Sequence, residues 1–196
     1  MNNPLLIFDL GNVLVHVDFQ KTLAAWSSFS GYSPEEIIRR FDMNGQIHLD
    51  FERGDITPDR FRQAVSDALN INMSERQFQQ SWNAMVEDVY PGVIEMVDSL
   101  KSKGIRLAIL SNTNRVHEEF FMKKYARLLS RFDGIFLSHK LRYRKPETAV
   151  FEAVMKKFHV QPEFCYFLDD KLENIAGAEK TGIRSKHVRT LEEIKA

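Results

Sequence analysis

The sequence predicts an α/β fold: a Rossmann-like open parallel sheet with a block of helices inserted after its first strand. Two observations carry this. The apolar run Leu5-Leu6-Ile7-Phe8 stops at Asp9 and a Gly11-Asn12 turn, and from Tyr90 onward short apolar runs alternate with helical patterns, the signature of βα repeats. Between them, His16 to Asp88 offers helix-start signals and no convincing strand.

Taken in order, Leu5 to Phe8 is a buried strand, and its terminal Asp9 stands out because a carboxylate at the edge of a core is costly unless something binds it. The inserted segment has Ser33-Pro34-Glu35-Glu36 and Ser74-Glu75-Arg76-Gln77 as capping boxes and Thr57-Pro58 as a further start. Its apolar residues, among them Leu23, Trp26, Phe61, Val65, Phe78 and Trp82, recur at helical spacing, so they are expected to form a bundle core. Pro91-Gly92-Val93 opens a helix that stops at Gly104. Ile105 to Leu110 is a strand ending in Ser111-Asn112-Thr113-Asn114. A helical pattern runs through Phe120, Phe121 and Leu128, and Gly134 to Ser138 forms the next strand. A helix from about Glu147 to Phe158 precedes the run ending in Leu168-Asp169-Asp170. The last helix closes at Gly182, before Ile183 to Val188. The expected division is an α/β core of residues 1–15 and 89–196 and a helical cap of residues 16–88.

Composition narrows the function. The 196 residues contain 27 Lys plus Arg and 27 Asp plus Glu, so no long-range attraction recruits nucleic acid or an anionic membrane surface. The expected partner is a small ligand held by local groups. The single Cys165 lies in the apolar run Phe164 to Leu168, which excludes an internal disulfide framework. No apolar run approaches the roughly 18 residues of a membrane span, and the first one lacks a basic flank, so a cytoplasmic protein is expected. Whether it is a monomer or a small homo-oligomer stays open.

Ligands of open parallel sheets bind beyond the carboxyl ends of the strands, so Asp9, Ser111 with Asn112, Lys145, and Asp169 with Asp170 are expected to converge. Three carboxylates in one cleft repel one another, and a hard divalent cation with oxygen ligands, most readily Mg²⁺, resolves that. Lys145 and the Ser111 hydroxyl offer donors for an anion beside it. Together these groups describe phosphoryl transfer through an aspartyl phosphate.

These residues carry a resemblance. Phe8-Asp9-Leu10-Gly11-Asn12-Val13, Leu110-Ser111-Asn112-Thr113-Asn114-Arg115, Arg144-Lys145-Pro146-Glu147 and Asp169-Asp170 with Asn174 resemble the four ordered motifs of the haloacid dehalogenase superfamily, phosphatase branch, with a helical cap after the first strand. Within it, the chain is most similar to small bacterial sugar-phosphate phosphatases, the α-D-glucose-1-phosphate phosphatases among them. The resemblance implies that Asp9 is the nucleophile and a Mg²⁺ ligand, joined by the main-chain carbonyl of Gly11 and by Asp170. Asp169 ligates directly or through water. Lys145 bridges Asp9 and the phosphate, and Ser111 with the Asn112 amide holds phosphate oxygens. The implied substrate is a small phosphorylated metabolite.

One position departs from the pattern. Most phosphatases of this superfamily have an acid/base Asp two residues after the nucleophile, where this chain has Gly11. Losing a positioned acid/base ordinarily costs about 10² to 10⁴ in rate, so either the substrate needs less help, as a sugar 1-phosphate would, or another group supplies it. A phosphomutase, a dehalogenase and a non-catalytic phosphometabolite sensor are the alternatives. Blander readings remain for single residues: Asp169-Asp170 as a helix cap, Ser111 as a turn former, Arg142 and Arg144 as solvated loop residues. His16 and His48 are the histidines expected near the cleft, each more naturally structural. Arg53 either faces the substrate or merely ends a helix before Gly54.

Overall fold

The structure is a computed structural model that describes residues 3–195. Strand β1 (Leu5–Phe8) and a short β2 (Val15–Val17) lead into five helices: α1 (Phe19–Ser30), α2 (Pro34–Arg40), α3 (Gln46–Arg53), α4 (Pro58–Leu69) and α5 (Glu75–Asn83). Strand β3 (Val86–Val89) and α6 (Val93–Ser102) return the chain to β4 (Arg106–Ser111), followed by α7 (Arg115–Lys124) and α8 (Ala126–Leu129). Next come β5 (Gly134–Leu137), α9 (Ser138–Leu141) and α10 (Thr148–Phe158). The chain closes with β6 (Cys165–Asp169), α11 (Leu172–Glu179), β7 (Arg184–His187) and α12 (Leu191–Lys195).

Five strands form one parallel sheet in the order β5-β4-β1-β6-β7. Central β1 has neighbours on both edges and helices on both faces, which is why its residues are apolar without alternation. Its register pairs Phe8 with Ile109 and Leu168, and Asp9 N donates to Leu168 O at 2.9 Å, so Asp9, Ser111 and Asp169 finish at one edge of the sheet. One face packs Leu5, Ile7, Ala108, Leu110 and Phe167 against Val150, Phe151 and Val154 of α10 and Ile175 and Ala178 of α11. On the other face, Phe8, Leu107 and Ile109 pack with Val93 and Val97 of α6, Phe121 of α7 and Leu128 of α8. That cluster continues without a break into Leu23, Trp26, Phe61, Val65 and Trp82 of the inserted helices.

Four details differ from the sequence reading. The segment His16 to Asp88 does contain strand residues: β2 and β3 pair antiparallel as a two-stranded ribbon, Val15 opposite Val89 and Val17 opposite Val86. Three-residue and acid-interrupted strands carry no legible alternation, so their pairing is set by tertiary contact. The Ser33 box is only half made: its hydroxyl accepts from Glu36 N at 3.3 Å, but the Glu36 carboxylate turns to Arg40, whereas the Ser74/Gln77 box is complete. Lys145 is separated from β5 by α9 as well as by a loop. A further helix, α12, follows the one expected to be last. Thr57 caps α4 through Arg60 N, and Cys165 is buried, as read.

Candidate active site

Asp9 is nearly buried, and its Oδ1 accepts from Lys145 Nζ at 2.7 Å. Lys145, 1% exposed, also donates to Asp169 Oδ2 at 2.7 Å and to the Leu110 carbonyl at 2.8 Å, so all three ammonium donors are used. The loop holding Lys145 is fixed on both sides. Asn112 clamps its main chain reciprocally, Nδ2 donating to Lys145 O at 2.9 Å and Oδ1 accepting from Lys145 N at 2.8 Å. Behind it Gly177 of α11 lies so close that a Cβ there would stand 2.3 Å from the Pro146 carbonyl, so only glycine lets that helix approach.

Asp169 is fully buried and saturated: Oδ1 accepts from Lys171 N and Asn174 Nδ2, Oδ2 from Lys145 and again Asn174, all at 2.7 to 3.0 Å. Among the described residues, the Asp170 carboxylate has only Asn12 Nδ2 as a donor, at 3.5 Å. Asn12 itself adopts a left-handed backbone (φ 56°), and its Oδ1 accepts from Val17 N, tying the β1 turn to the ribbon. Ligand oxygens of Asp9, Asp169 and Asp170 lie within 4.8 Å of one another. Burial first, then the neighbouring acids Asp169 and Asp170, push the Asp9 carboxyl up to about 6 against the pull of Lys145. Burial and Asp169 likewise raise Asp170. Burial pulls Lys145 down, but Asp9 and Asp169 outweigh it and hold the ammonium above its usual value. One lysine thus leaves the acids under-compensated. The all-oxygen donor set fits a hard divalent cation, with Asp9 and Asp170 holding uncommitted oxygens and Asp169 spent on its four donors.

These groups line a cavity of about 350 Å³ between the sheet edge and the inserted helices. Ser111, Asn112, Gly11, Lys145, Asp9 and Asp170 all border it, so the convergence read from the strand ends is what the fold builds. Asp169 lies behind this wall. The opposite wall is largely apolar and aromatic, with Phe19, Met43, Trp82, Met85 and Phe121, interrupted by Asn44, His48 and Glu52 of the inserted segment.

Other residues moved. His16 is exposed and pairs with Glu87 away from the cavity. His48 does border it, but the second histidine there is His117, stacked on Trp82 with centroids 5.0 Å apart. His117 Nε2 faces the Trp82 carbonyl at 3.1 Å and Nδ1 faces Asn114 Nδ2 at 3.2 Å, while burial pushes the imidazole down to about 4. Its place in the first turn after a strand-end loop was the signal that could have found it. Arg53 ends α3 before the left-handed Gly54 and reaches Glu147 at 2.6 Å instead of the cavity. Arg144 is no solvated loop residue: it grips Glu52 at 2.8 Å with both side chains largely buried. Arg142 is exposed and bonds the Gly54 carbonyl.

A parallel sheet bearing a carboxylate, a buried lysine and an acid pair on its carboxyl edge, under an inserted helical segment, defines a class of α/β hydrolases. The chain belongs to the haloacid dehalogenase-like hydrolase family, whose model matches residues 4–182. Its sequence is 24% identical to D-ribitol-5-phosphate phosphatase of Bacteroides thetaiotaomicron, over 92% of this chain and 89% of that protein. It is 26% identical to phosphoglycolate phosphatase of Mannheimia succiniciproducens, over 91% and 82%. Its fold matches a HAD-family enzyme of B. thetaiotaomicron crystallised with magnesium and inorganic phosphate: TM-score 0.83, 27% identity, covering 94% of this chain and 93% of that one.

Proposed function

We propose that the chain is a Mg²⁺-dependent phosphatase that hydrolyses small phosphorylated metabolites, with sugar phosphates such as a sugar 1-phosphate as the preferred class, through an aspartyl phosphate on Asp9. The observation that carries this reading is the Lys145 ammonium held between Asp9 and Asp169 while Asp9 Oδ2 makes no hydrogen bond among the described residues. One oxygen of Asp9 is restrained and the other is free to attack. Phosphatase relatives spanning most of the chain support the reaction class.

In this reading Asp9 Oδ2 attacks phosphorus, and the ester oxygen departs. Lys145 screens the approach of two anions, and the Ser111 hydroxyl and the Asn112 main-chain amide bind phosphate oxygens, the Asn112 side chain being engaged with Lys145. Asp170, the Gly11 carbonyl and Asp9, through the Oδ1 lone pair that Lys145 leaves open, would hold Mg²⁺, with Asp169 acting through water because its oxygens are occupied. The metal supplies charge neutralisation for the phosphate and for the acids around it. Water then attacks the aspartyl phosphate at phosphorus, freeing phosphate and restoring Asp9. Residues 16–88 act as the substrate-selecting cap on a core of residues 1–15 and 89–196. No helix among the described residues is long and apolar enough to cross a membrane, which is compatible with work on cytoplasmic metabolites. The test is a panel of phosphate esters assayed with Mg²⁺, with chelator, and with Asp9→Asn. Turnover that needs the metal and disappears in the variant supports the reading; an Asn variant that hydrolyses the panel equally well overturns it.

A further inference from the structure

Gly11 is not demanded by the backbone. Its φ lies outside the left-handed region, and a Cβ there would meet only Val17 Cγ2, at 3.2 Å. A side chain at position 11 is therefore a matter of chemistry, and without one the departing oxygen needs a proton from elsewhere. The cavity offers few sources beyond the acid cluster. His117 has both ring nitrogens engaged by Trp82 and Asn114. Glu52 is engaged by Arg144 at 2.8 and 2.9 Å. Lys171 is exposed to solvent. His48 remains. It projects from α3 into the same cavity as Asp9, partly buried, flanked by the rings of Phe61 and Trp82, and no other side chain hydrogen-bonds its ring among the described residues.

We propose that His48, reaching the cavity from the inserted helices, is the general acid and base that replaces the side chain absent at Gly11; this rests on the phosphatase reading above. As the Asp9–phosphorus bond forms and the ester P–O bond breaks, the leaving oxygen takes the imidazolium proton and the free alcohol departs. The neutral ring then takes a proton from the water that attacks the aspartyl phosphate, so phosphate, Asp9 carboxylate and imidazolium are regenerated together. Burial holds His48 below its usual 6.5, opposed by Glu52 one turn on and by the Met43 main chain, and reinforced by Arg144 and Lys171. His117 lies beside it as well. The acid form is thus the form favoured at lower pH.

The test compares kcat/KM for a primary alkyl phosphate, whose alkoxide needs protonation, with that for 4-nitrophenyl phosphate, whose phenolate does not. In kcat/KM, which ends at formation of the aspartyl phosphate and leaves out the water attack that both esters share, His48→Gln is expected to lose about 10²-fold or more on the alkyl ester and under about threefold on the aryl ester, with circular dichroism reporting that the variant is folded. Adding Gly11→Asp to His48→Gln should restore at least about tenfold on the alkyl ester. In the unmutated enzyme, kcat/KM for the alkyl ester should fall as pH rises through the His48 ionisation while that for the aryl ester does not. Equal losses on both esters, no rescue by Gly11→Asp, or the same high-pH limb for both would each overturn the proposal. Asp9→Asn separates the two readings: if it still turns over both esters, the phosphatase mechanism itself fails.

Discussion

Lys145 concentrates more of the site's energetics than any other side chain. Its ammonium is enclosed by Asp9, Asp169 and the Leu110 carbonyl at 2.7 to 2.8 Å, with no water-facing surface to soften its removal. Lys145→Met keeps the volume but strands two carboxylates in a low-dielectric site, which should lower unfolding free energy by about 3 to 5 kcal/mol in urea titrations at neutral pH without metal. Because Asp9 already sits near 6, that loss should shrink as pH falls and the carboxyl is protonated. His117 gives the opposite kind of signal. Its ring is neutral in the folded state, with a pKa of about 4 against 6.5 when unfolded, so between those values the unfolded chain binds more protons. Stability is intact above 6.5 and should decline by about 3 kcal/mol as pH falls to 4. His117→Gln should remove that component of the pH dependence; an unchanged slope would mean the ring is not buried neutral. Both residues were differently legible in sequence. Lys145 lay in a recognisable Arg-Lys-Pro-Glu motif, whereas His117 has no motif of its own, and its burial comes from a Trp82 carbonyl and indole 35 residues away.

At the scale of elements, α3 ties the inserted helices to the loop that carries Lys145. Two ion pairs cross there, Arg144 to Glu52 and Arg53 to Glu147, and the loop residues of both flank Lys145 and Pro146. Gly54, just past the helix, has φ 73° and would place a Cβ 2.5 Å from the His139 carbonyl, so the helix end abuts α9 directly. A double-mutant cycle with Arg144→Met and Glu52→Gln should give a coupling of about 1 to 3 kcal/mol, because both groups are largely buried. The exposed Arg40–Glu36 pair within α2 should give about 0.3 to 0.5 kcal/mol in the same assay. Equal couplings would show that the α3 seam is no more than surface charge. Helices and their starts were readable, since caps such as Ser74 and Thr57 are local chemistry. The β2–β3 ribbon and the Arg144–Glu52 pair were not, because partners separated by 69 to 92 residues leave no mark on local pattern.

Across the whole molecule, the parallel sheet was legible because each buried strand is a short apolar run ending in polar residues, and the convergence of Asp9, Ser111, Lys145 and Asp170 on one cavity follows from that topology. What could not be read was how the inserted helices meet the sheet. They share one continuous apolar cluster, from Phe8 and Ile109 through Phe121 to Trp82 and Trp26, so no dry boundary separates two cores. Both tryptophans lie in the inserted helices, which makes tryptophan fluorescence a reporter of that half and far-ultraviolet circular dichroism a reporter of the whole. The two unfolding curves should coincide in urea; two separated transitions would show that the halves unfold independently. The central claim is chemical, and one measurement addresses it: rapid quenching of the enzyme during turnover of a phosphate ester with Mg²⁺, borohydride reduction of any acyl phosphate, and mass spectrometry of the peptide containing residue 9. Homoserine at position 9, dependent on substrate and metal, is the predicted result. Turnover with position 9 unmodified, or with the label on another carboxylate, would contradict it.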